Sequence, residues 1–251
     1  MPRASQLDDL RTSFGEQSVA EEIRRDEVRA LFDRIAPRYD LMNDLMSFGT
    51  HRLWKRKVIS RALHHLQPGE APIVDLAGGT GDLAIALRAA LPGRRIIVTD
   101  PSAGMLGVAR ERAGDALEYL QAAGEDLPLS PASVAMVTLS FGLRNMSDPA
   151  QGLREVARVL APGGHLVLLE FSKPDPWFAP FYGVHARHVI PRLGALVARD
   201  QGAYQYLVES IERFPARQDM AREIAAAGLE LVEERAFVFG VARMQIAKKP
   251  Q

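Results

Sequence analysis

The chain has 251 residues, with 31 basic and 31 acidic side chains and no cysteine. The zero net charge gives no global reason to expect a nucleic-acid partner, and the lack of cysteine excludes disulfides, thiol nucleophiles and cysteine-ligated metals. The first residues are polar and no window offers 18 consecutive apolar residues, so we expect a soluble, cytoplasmic protein. This length suits one large α/β domain with additions.

Helical segments are predicted before the first strand. Residues 1 to about 20 are polar and are interpreted as a loose arm. Apolar residues recur at roughly helical spacing over residues 20–35, and Pro37 ends this predicted helix. Residues 39–49 are rich in methionine and aromatic side chains, which is typical either of a surface that adapts to apolar ligands or of core packing. A basic amphipathic helix at 51–66 either touches an anionic membrane surface or forms a solvated face.

A glycine-rich turn joins the first predicted strand of the sheet to a helix. Asp75-Leu76-Ala77-Gly78-Gly79-Thr80-Gly81-Asp82-Leu83 follows the apolar run 72–74 and precedes a helical pattern over 83–91. Glycines allow positive φ and let a ligand approach the main chain, while the first amides of the helix point at that ligand. The candidate binding residues of this turn are Asp75, Gly78, Gly79, Thr80 and Gly81.

An acidic residue, Asp100, ends the second apolar run, nineteen positions after Gly81. In a nucleotide-binding βαβ unit, an acid at that place accepts hydrogen bonds from two ribose hydroxyls. The alternative is a structural turn, with Asp100 only capping the helix that begins near Ser102. The turn departs from the dinucleotide pattern Gly-x-Gly-x-x-Gly, and the carboxylate of Asp82 would repel a pyrophosphate while suiting a cationic ligand. The residues therefore favour S-adenosylmethionine over NAD.

Strands and helices alternate regularly after this turn. The predicted elements are strand 96–99, helix 102–113, strand 117–121, strand 134–140, a helix that starts at Asp148-Pro149 and ends near Leu160, and strand 165–171 after the turn Pro162-Gly163-Gly164. This order predicts a doubly wound α/β fold with a mostly parallel sheet, right-handed crossovers and helices on both faces. Ligands of such sheets bind at the carboxyl ends of the strands, where all the candidate residues fall.

The regular alternation stops after Ser172. Residues 173–182 are too rich in proline for a sheet strand and too aromatic for a solvated loop, so they are interpreted as a lining or cover of an apolar substrate site. Later elements are predicted as helices at 184–199, 204–213 and 219–227 and a closing antiparallel pair at 229–238 and 241–247. The chain is divided into an arm and helical cap at 1–66 and an α/β domain at 67–251 with a substrate-covering insertion at about 173–213.

Four longer motifs resemble the ubiquinone/menaquinone biosynthesis C-methyltransferase family, and the likeness covers nearly the whole chain. They are Tyr39-Asp40-x-Met42-Asn43-Asp44-Leu45-Met46-Ser47-Phe48-Gly49-x-His51-Arg52-Leu53-Trp54-Lys55-Arg56, the glycine turn from Asp75 to Asp82, Ser140-Phe141-Gly142-Leu143-Arg144-Asn145 and Glu170-Phe171-Ser172-Lys173-Pro174. Pro191-Arg192-Leu193-Gly194 and Tyr206-Leu207-x-Glu209-Ser210-Ile211 continue the likeness.

The resemblance implies a seven-stranded class I (Rossmann-like) methyltransferase fold and transfer of a methyl group from S-adenosylmethionine to a ring carbon of a prenylated quinol. The expected acceptor is 2-polyprenyl-6-methoxy-1,4-benzoquinol, demethylmenaquinol or both. By position, the residues that fall where the family binds the cofactor are Thr80, Asp100, Ala123, Gly124 and Ser140. The family commonly has Asn or Asp at the position of Ala123, so Glu125, Asp126 or backbone groups are left to contact adenine. The ending Gly240-Val241-Ala242-Arg243-Met244-Gln245 also departs from the family.

The resemblance further implies Arg144, Asn145 and Tyr39 as the catalytic residues. A guanidinium is a poor base, so we favour stabilisation of a phenolate by Arg144 over a base role through water. The alternative for Arg144 is an ion pair with a helix acid such as Asp148. Other candidate bases, each more typical of a structural or surface histidine, are His51, His185 and His188. His64, His65 and His165 lack ligand spacing with paired acids, so no catalytic metal is predicted.

Three other interpretations remain open from the residues. One is an NAD-dependent dehydrogenase, another is a paralogue that methylates a different aromatic molecule, and the third is a silent nucleoside-binding subunit of a quinone-biosynthesis assembly. A polyprenyl tail lives in the bilayer, so we expect a cytoplasmic protein that visits the inner membrane peripherally, using the basic helix and the apolar segment at 177–182. A homodimer or a larger biosynthetic complex is also compatible with the sequence.

Overall fold

A seven-stranded sheet organises the molecule in a computed structural model, which describes residues 7, 10–14, 17–47, 49–184 and 201–251. A two-stranded hairpin, β1 (Ser13–Phe14) with β2 (Gln17–Ser18), precedes it. The strands of the large sheet are β3 (Ile73–Leu76), β4 (Ile96–Asp100), β5 (Glu118–Gln121), β6 (Val134–Ser140), β7 (Leu160–Phe171), β8 (Glu230–Phe237) and β9 (Ala242–Lys248).

The spatial order of the large sheet is β5-β4-β3-β6-β7-β9-β8. Neighbours from β5 to β7 pair in parallel, whereas β9 runs antiparallel to both β7 and β8. The predicted doubly wound, mostly parallel seven-stranded sheet is therefore confirmed. The chain winds outward in one direction from β3 to β5 and in the other from β6 to β7, so the switch in strand order lies between β3 and β6.

Helices cover both faces of the sheet, as predicted. They are α1 (Glu21–Ile35), α2 (Tyr39–Ser47), α3 (Thr50–His65), α4 (Asp82–Ala90), α5 (Ala103–Ala113), α6 (Pro149–Val159), α7 (Ala179–Val184), α8 (Gln201–Arg213) and α9 (Arg217–Ala226). One core cluster packs α6 and α9 on the sheet, and a second packs α3, α4 and α5 on the opposite face. Both clusters consist of buried hydrophobic residues from the helices and from the strands, whose side chains point alternately to the two faces of the sheet.

Three local predictions are wrong. The first residues are not simply a loose polar arm, because Leu7 and Leu10 are fully buried in the core that contains α6. In α1, the helical spacing of apolar residues over 20–35 implies one buried apolar face, but Ile23 is 54% exposed and Arg24 beside it is buried. Pro162-Gly163-Gly164 does not precede a new strand; it lies within β7, where the register against β6 shifts.

Some predictions fall outside the described residues. Beyond Val184, the predicted helix 184–199 is in this group, and so are His185, His188 and the motif at 191–194. Among the residues that the structure does describe, no helix is both long enough and apolar enough to span a membrane.

Candidate functional site

A cavity of about 350 Å³ opens at the carboxyl ends of the central strands, beside the switch in strand order. This volume lies in the range of small-molecule sites. Its walls are Arg25, Val28, Arg29 and Phe32 from α1, together with Tyr39, Ala77, Gly79, 100–102, Met105, 121–125, 140–142 and 145–147. The sequence had indicated the strand ends but not the wall from α1, because helical periodicity does not reveal what a helix covers.

The glycine turn after β3 requires glycine for two different reasons. Gly79 and Gly81 have φ of +56° and +83°, in the left-handed region that side chains disfavour. Gly78 has no such φ, but a Cβ there would lie 2.8 Å from Val98 Cγ1 and 2.9 Å from Asp75 Oδ2. The turn is thus packed closely against β3 and β4 at Gly78, and of the three glycines only Gly79 lines the cavity.

Backbone strain marks the ends of the two strands that flank the switch. Ala77 after β3 and Phe141 after β6 have φ of +49° and +59°, unusual for residues with a Cβ. A Cβ on Gly142 would lie 2.5 Å from Ala77 Cβ, so the two strand ends touch. Such conformations cluster at functional sites, and both strained residues line the cavity.

Asp100 is buried at the tip of β4 and lines the cavity. Its Oδ2 accepts a hydrogen bond from Gly79 N at 3.0 Å, and its Oδ1 accepts one from Ser102 N at 2.9 Å. Burial raises the pKa of Asp100 to about 6, and these two amides oppose the shift. A carboxylate has about four acceptor positions, so acceptor capacity remains for a ligand. Ser102 itself caps α5 by accepting from Met105 N.

Asp75 and Thr80 support the cavity without lining it. Asp75 accepts from Thr138 Oγ1 at 2.7 Å and from Ala84 N at 3.1 Å, which ties β3 to β6 and to α4. Burial raises the pKa of Asp75 to about 6. Thr80 donates through Oγ1 to Asp40 of α2 at 2.9 Å, which holds the second helix of the cap over the turn.

The far wall of the cavity contains Ala123, Gly124 and Ser140. The hydroxyl of Ser140 is buried and has no hydrogen-bond partner among the described residues, so a ligand in the cavity could satisfy it. A Cβ on Gly124 would lie 2.5 Å from Met146 Cε, so this wall is closely packed. Glu125, the proposed substitute near Ala123, already accepts from Ser147 N and Asp148 N.

Asn145 and Tyr39 line the cavity, whereas Arg144 lies behind it, fully buried. Arg144 donates to Glu170 Oε1 at 2.5 Å and to Phe141 O at 2.7 Å, and its guanidinium lies 5.2 Å from the Phe171 ring centroid. The alternative partner for Arg144, Asp148, is wrong: Asp148 caps α6 and pairs with Arg11 and Arg154. The sequence could not reveal Glu170 as the partner, since it lies 26 positions away.

Asp82 does not face a cationic ligand, contrary to the argument from the turn sequence. Its carboxylate binds Lys55 at 2.9 Å and Arg112 at 2.6 Å. Burial would raise the pKa of Asp82, but these two cations outweigh it and lower the pKa to about 2. Arg112 also binds Asp40, so α2, α3, α4 and α5 meet in one ionic network behind the turn.

The basic helix α3 is less available than its composition indicates. Besides Lys55, Arg61 binds Glu233 and Arg52 binds Asp44, so three of its cations are committed to acids within the protein. His51 on the same helix is buried against Ser47 Oγ, with Nδ1 at 2.8 Å, and burial lowers its pKa. It lies outside the lining of the cavity.

Three histidines meet at the opposite edge of the sheet. The His65 ring lies 5.1 Å from both the His64 and the His165 rings, and His65 Nε2 lies 3.1 Å from Glu233 Oε2. Burial, together with His65 and Lys248, lowers the pKa of His165 to about 4. The described part of the chain contains no group of three or more histidine or acidic residues that could hold a metal ion.

An aromatic patch is exposed near the site; it consists of Trp177, Phe178, Phe181 and Phe239. Ring centroids are 4.6 Å apart for Trp177–Phe239 and 5.0 Å apart for Phe178–Phe239. Trp177 and Phe181 are 59% and 69% exposed. Tyr182, the residue after Phe181, packs against a buried cluster that includes Val28 and Met105, and these two residues also line the cavity.

Comparison with known sequences gives the same family over nearly the whole chain. The sequence model of the ubiE/COQ5 methyltransferase family matches residues 18–249. A ubiquinone/menaquinone biosynthesis C-methyltransferase from Rubrivivax gelatinosus is 48% identical over 96% of this chain and 94% of its own. A protein of the same description from Brucella anthropi is 42% identical over 92% of this chain and 90% of its own.

Comparison with solved structures supports the fold alone. A SAM-dependent methyltransferase from Thermotoga maritima aligns with a TM-score of 0.60 at 18% identity, covering 88% of this chain and 99% of its own. The [4+2]-cyclase SpnF aligns with a TM-score of 0.64 at 15% identity, covering 89% of this chain and 95% of its own. A cyclase and a methyltransferase share this architecture, so the fold does not by itself give the reaction.

Proposed function

The chain belongs to the ubiE/COQ5 methyltransferase family and is an S-adenosylmethionine-dependent methyltransferase, and from this premise we propose that it methylates a ring carbon of a prenylated quinol. The acceptor is 2-polyprenyl-6-methoxy-1,4-benzoquinol, demethylmenaquinol or both. The observation that carries the proposal is the cavity at the strand ends, whose lining includes Ser140, Phe141, Gly142 and Asn145 of the motif Ser140–Asn145 that resembles this family.

The residues of the cavity fit the methyl donor. Asp100 offers free acceptor capacity for ribose hydroxyls, Ser140 offers an unpartnered hydroxyl, and Gly79 exposes main chain to the ligand. When bound, S-adenosylmethionine supplies a methyl group that is already activated, so the protein has mainly to align the acceptor and exclude water. We assign Asp75, Gly78, Thr80 and Gly81 to support of this site rather than to direct contact.

Arg144 acts electrostatically in this proposal. A quinol carbon becomes nucleophilic when a ring hydroxyl loses its proton, and a nearby cation stabilises the resulting phenolate. The buried guanidinium of Arg144 forms an ion pair with Glu170, and its Nε has no partner among the described residues. Asn145 and Tyr39 reach the cavity directly, and we assign them to orienting the acceptor ring.

The two relatives are ubiquinone/menaquinone biosynthesis C-methyltransferases, and ubiquinone and menaquinone dissolve in the bilayer. We therefore propose that this chain meets its acceptor at the surface of the inner membrane. The aromatic patch is the better candidate for contact, because tryptophan and phenylalanine favour the bilayer interface and the cations of α3 are largely paired. Residues 1–66 then act as a cap on the domain 67–251, and the membrane-facing surface consists of the start of the insertion at about 173–213 together with Phe239.

Liposome co-sedimentation tests the contact surface. The triple variant W177A/F181A/F239A removes the exposed rings, and the matched variant R56A/K57A removes two cations of α3. We expect the first variant to lose most binding to anionic vesicles and the second to lose little. Equal loss in both, or binding by neither wild type nor variants, contradicts the assignment of this surface.

Methyl transfer tests the function itself. Purified protein is incubated with labelled S-adenosylmethionine and reduced short-tail benzoquinols and naphthoquinols, and mass spectrometry locates the methyl group. We expect label on a ring carbon. Cofactor binding without transfer to any reduced quinol would favour the silent subunit, transfer to another aromatic molecule would favour a paralogue, and nicotinamide binding in place of S-adenosylmethionine would favour a dehydrogenase.

A further inference from the structure

Arg24 is a buried arginine in the middle of the cap. It lies in the second turn of α1 with 1% of its surface exposed, although its neighbour Ile23 is largely exposed. Burying a guanidinium is costly unless its N–H groups are hydrogen-bonded. The position therefore requires specific partners, and hydrophobic periodicity does not explain why α1 turns this residue inward.

Arg24 donates hydrogen bonds to two main-chain carbonyls that lie more than a hundred residues away in sequence. Nη1 donates to Met146 O at 2.5 Å and Nη2 donates to Arg144 O at 2.9 Å. These carbonyls flank Asn145 and end the short 3₁₀-helix Leu143–Asn145, where a cation is favourable. The planar fork of arginine spans two acceptors at once, which the point charge of lysine does not.

The same segment is held from two further directions. Glu170 of β7 binds the Arg144 side chain, and Tyr206 of α8 donates through its hydroxyl to Asn145 Oδ1 at 3.1 Å. Asn145 Nδ2 in turn donates to Phe141 O at 3.0 Å. Side chains from α1, β7 and α8 thus converge on residues 144–146, and Arg24 is the member that comes from the cap.

Helix α1 also forms one wall of the cofactor cavity. Arg25, Val28, Arg29 and Phe32 line it, while Asp33 near the end of the helix accepts from Ser102 Oγ at 2.5 Å and from Gly104 N at 3.0 Å. One end of α1 is fixed to the segment 144–146, and the other is fixed beside Asp100. A ligand that contacts α1 in the cavity therefore contacts a helix that is bound both to the segment 144–146 and to the residues beside Asp100.

We propose that Arg24 is a positioning residue that holds the segment 144–146 in place beside the bound cofactor. Cofactor binding in the cavity then orders this segment, which is where the acceptor ring is to be oriented. The expected effect of Arg24 on kcat rests on the proposed methyl transfer. The expected effect on the order of the segment 144–146 does not. Arg24 is absent from the lining of the cavity, so it acts through Arg144, Asn145 and Met146 rather than by touching substrate.

The test compares R24A and R24K with the matched control R61A. Arg61 lies on α3 and binds Glu233 at the far edge of the sheet, so its loss removes an arginine without touching the site. The measurements are Tm, the Kd of S-adenosylhomocysteine by calorimetry, and kcat and KM at temperatures where each variant is folded. Low millimolar guanidinium is added in parallel, because it can occupy the space left in R24A.

We expect R24A to lower kcat at least tenfold while the Kd of S-adenosylhomocysteine changes less than threefold. Guanidinium should restore kcat in R24A and have no effect in R61A, and R24K should stay impaired. An unchanged kcat in folded R24A overturns the proposal. The proposal is also overturned if kcat of R24A falls only in proportion to the fraction of unfolded protein and guanidinium does not restore it.

Hydrogen exchange gives a readout that does not depend on the acceptor. In the wild type, S-adenosylhomocysteine should slow amide exchange at both 78–82 and 143–147. In R24A the protection at 78–82 should persist while that at 143–147 is lost. If wild-type protein transfers no methyl group but shows this pattern, the proposed function fails and the positioning role stands. Equal protection of both segments in R24A contradicts the positioning role directly.

Discussion

Asp100 Oδ2 accepts a hydrogen bond of 3.0 Å from the amide of Gly79, so the tip of β4 and the turn after β3 form one unit. The acid is held in place before any ligand arrives, and the second amide bond from Ser102 fixes its other oxygen. A carboxylate oriented in this way needs little reorganisation on binding, which lowers the entropic cost of association.

Replacing Asp100 with alanine should weaken cofactor binding. The change removes charge-assisted hydrogen bonds to the ribose at roughly 1.5–3 kcal/mol, so the Kd for S-adenosylhomocysteine should rise about tenfold or more. Calorimetry measures this directly, with D115N as the control because Asp115 is exposed in the short 3₁₀-helix Gly114–Ala116 before β5. An unchanged Kd in D100A would contradict the assignment of Asp100 as the acceptor of the ribose hydroxyls.

Cofactor affinity should also depend on pH through Asp100. Its pKa is raised to about 6, chiefly by burial, so the carboxylate that accepts from hydroxyls is lost progressively below that pH. We expect the Kd for S-adenosylhomocysteine to be flat above pH 7 and to rise as pH falls from about 6. Affinity of D100N should be weaker but nearly independent of pH across this range. A wild-type Kd that stays constant down to pH 5 contradicts the prediction.

Gly142 should tolerate no side chain, because a Cβ there would lie 2.5 Å from Ala77 Cβ, an atom fixed to the main chain. The variant G142A must separate the ends of β3 and β6, at a cost of roughly 1–3 kcal/mol in the free energy of unfolding. The Tm should fall and the Kd for the cofactor should rise. The control is G93A, since a Cβ on Gly93 meets nothing within 4 Å among the described residues. Equal Tm for both variants would contradict the account.

The sheet was predictable because its strands are short apolar runs that alternate with helical patterns. β6, for example, begins and ends where the apolar run 134–140 does, and the cap of α6 by Asp148 was readable because an N-cap followed by proline is a local signal. The positions of Asp100, Ser140, Ala123 and Gly124 around one cavity follow from parallel topology, which brings the carboxyl ends of strands to one edge.

The predictions that were wrong concern residues whose partners are distant in sequence. No local pattern indicated that Arg24 is buried, since the carbonyls to which it donates lie more than a hundred positions away. Asp82 looked free for a cationic ligand, but Lys55 and Arg112 arrive from separate helices. The burial of Leu7 and Leu10 had no periodic signal within a polar segment. Local patterns specify elements, whereas charge pairing across elements requires the fold.

The buried His165 should make the protein sensitive to acid. Its folded-state pKa is lowered to about 4 from an ordinary value of 6.5, so between these values the unfolded chain binds more protons. Stability is therefore lost as pH falls from 6.5 towards 4, by up to about 3 kcal/mol from this group. Chemical denaturation of wild type and H165Q at pH 7 and pH 5 measures the difference.

The wild type should lose more stability than H165Q between these two pH values. The comparison between variants cancels the contributions of Asp75 and Asp100, whose raised pKa values act in the opposite direction. If both proteins lost the same free energy on acidification, His165 would not be buried in its neutral form.

The most direct test of the central claim is a crystal structure of the protein with S-adenosylhomocysteine. The account predicts that the ligand fills the cavity between α1 and the strand ends, with both ribose hydroxyls within hydrogen-bond distance of Asp100 and the sulfur facing Asn145. A cavity that remains empty, or a ligand bound elsewhere with Asp100 contacting only Gly79 and Ser102, would contradict it.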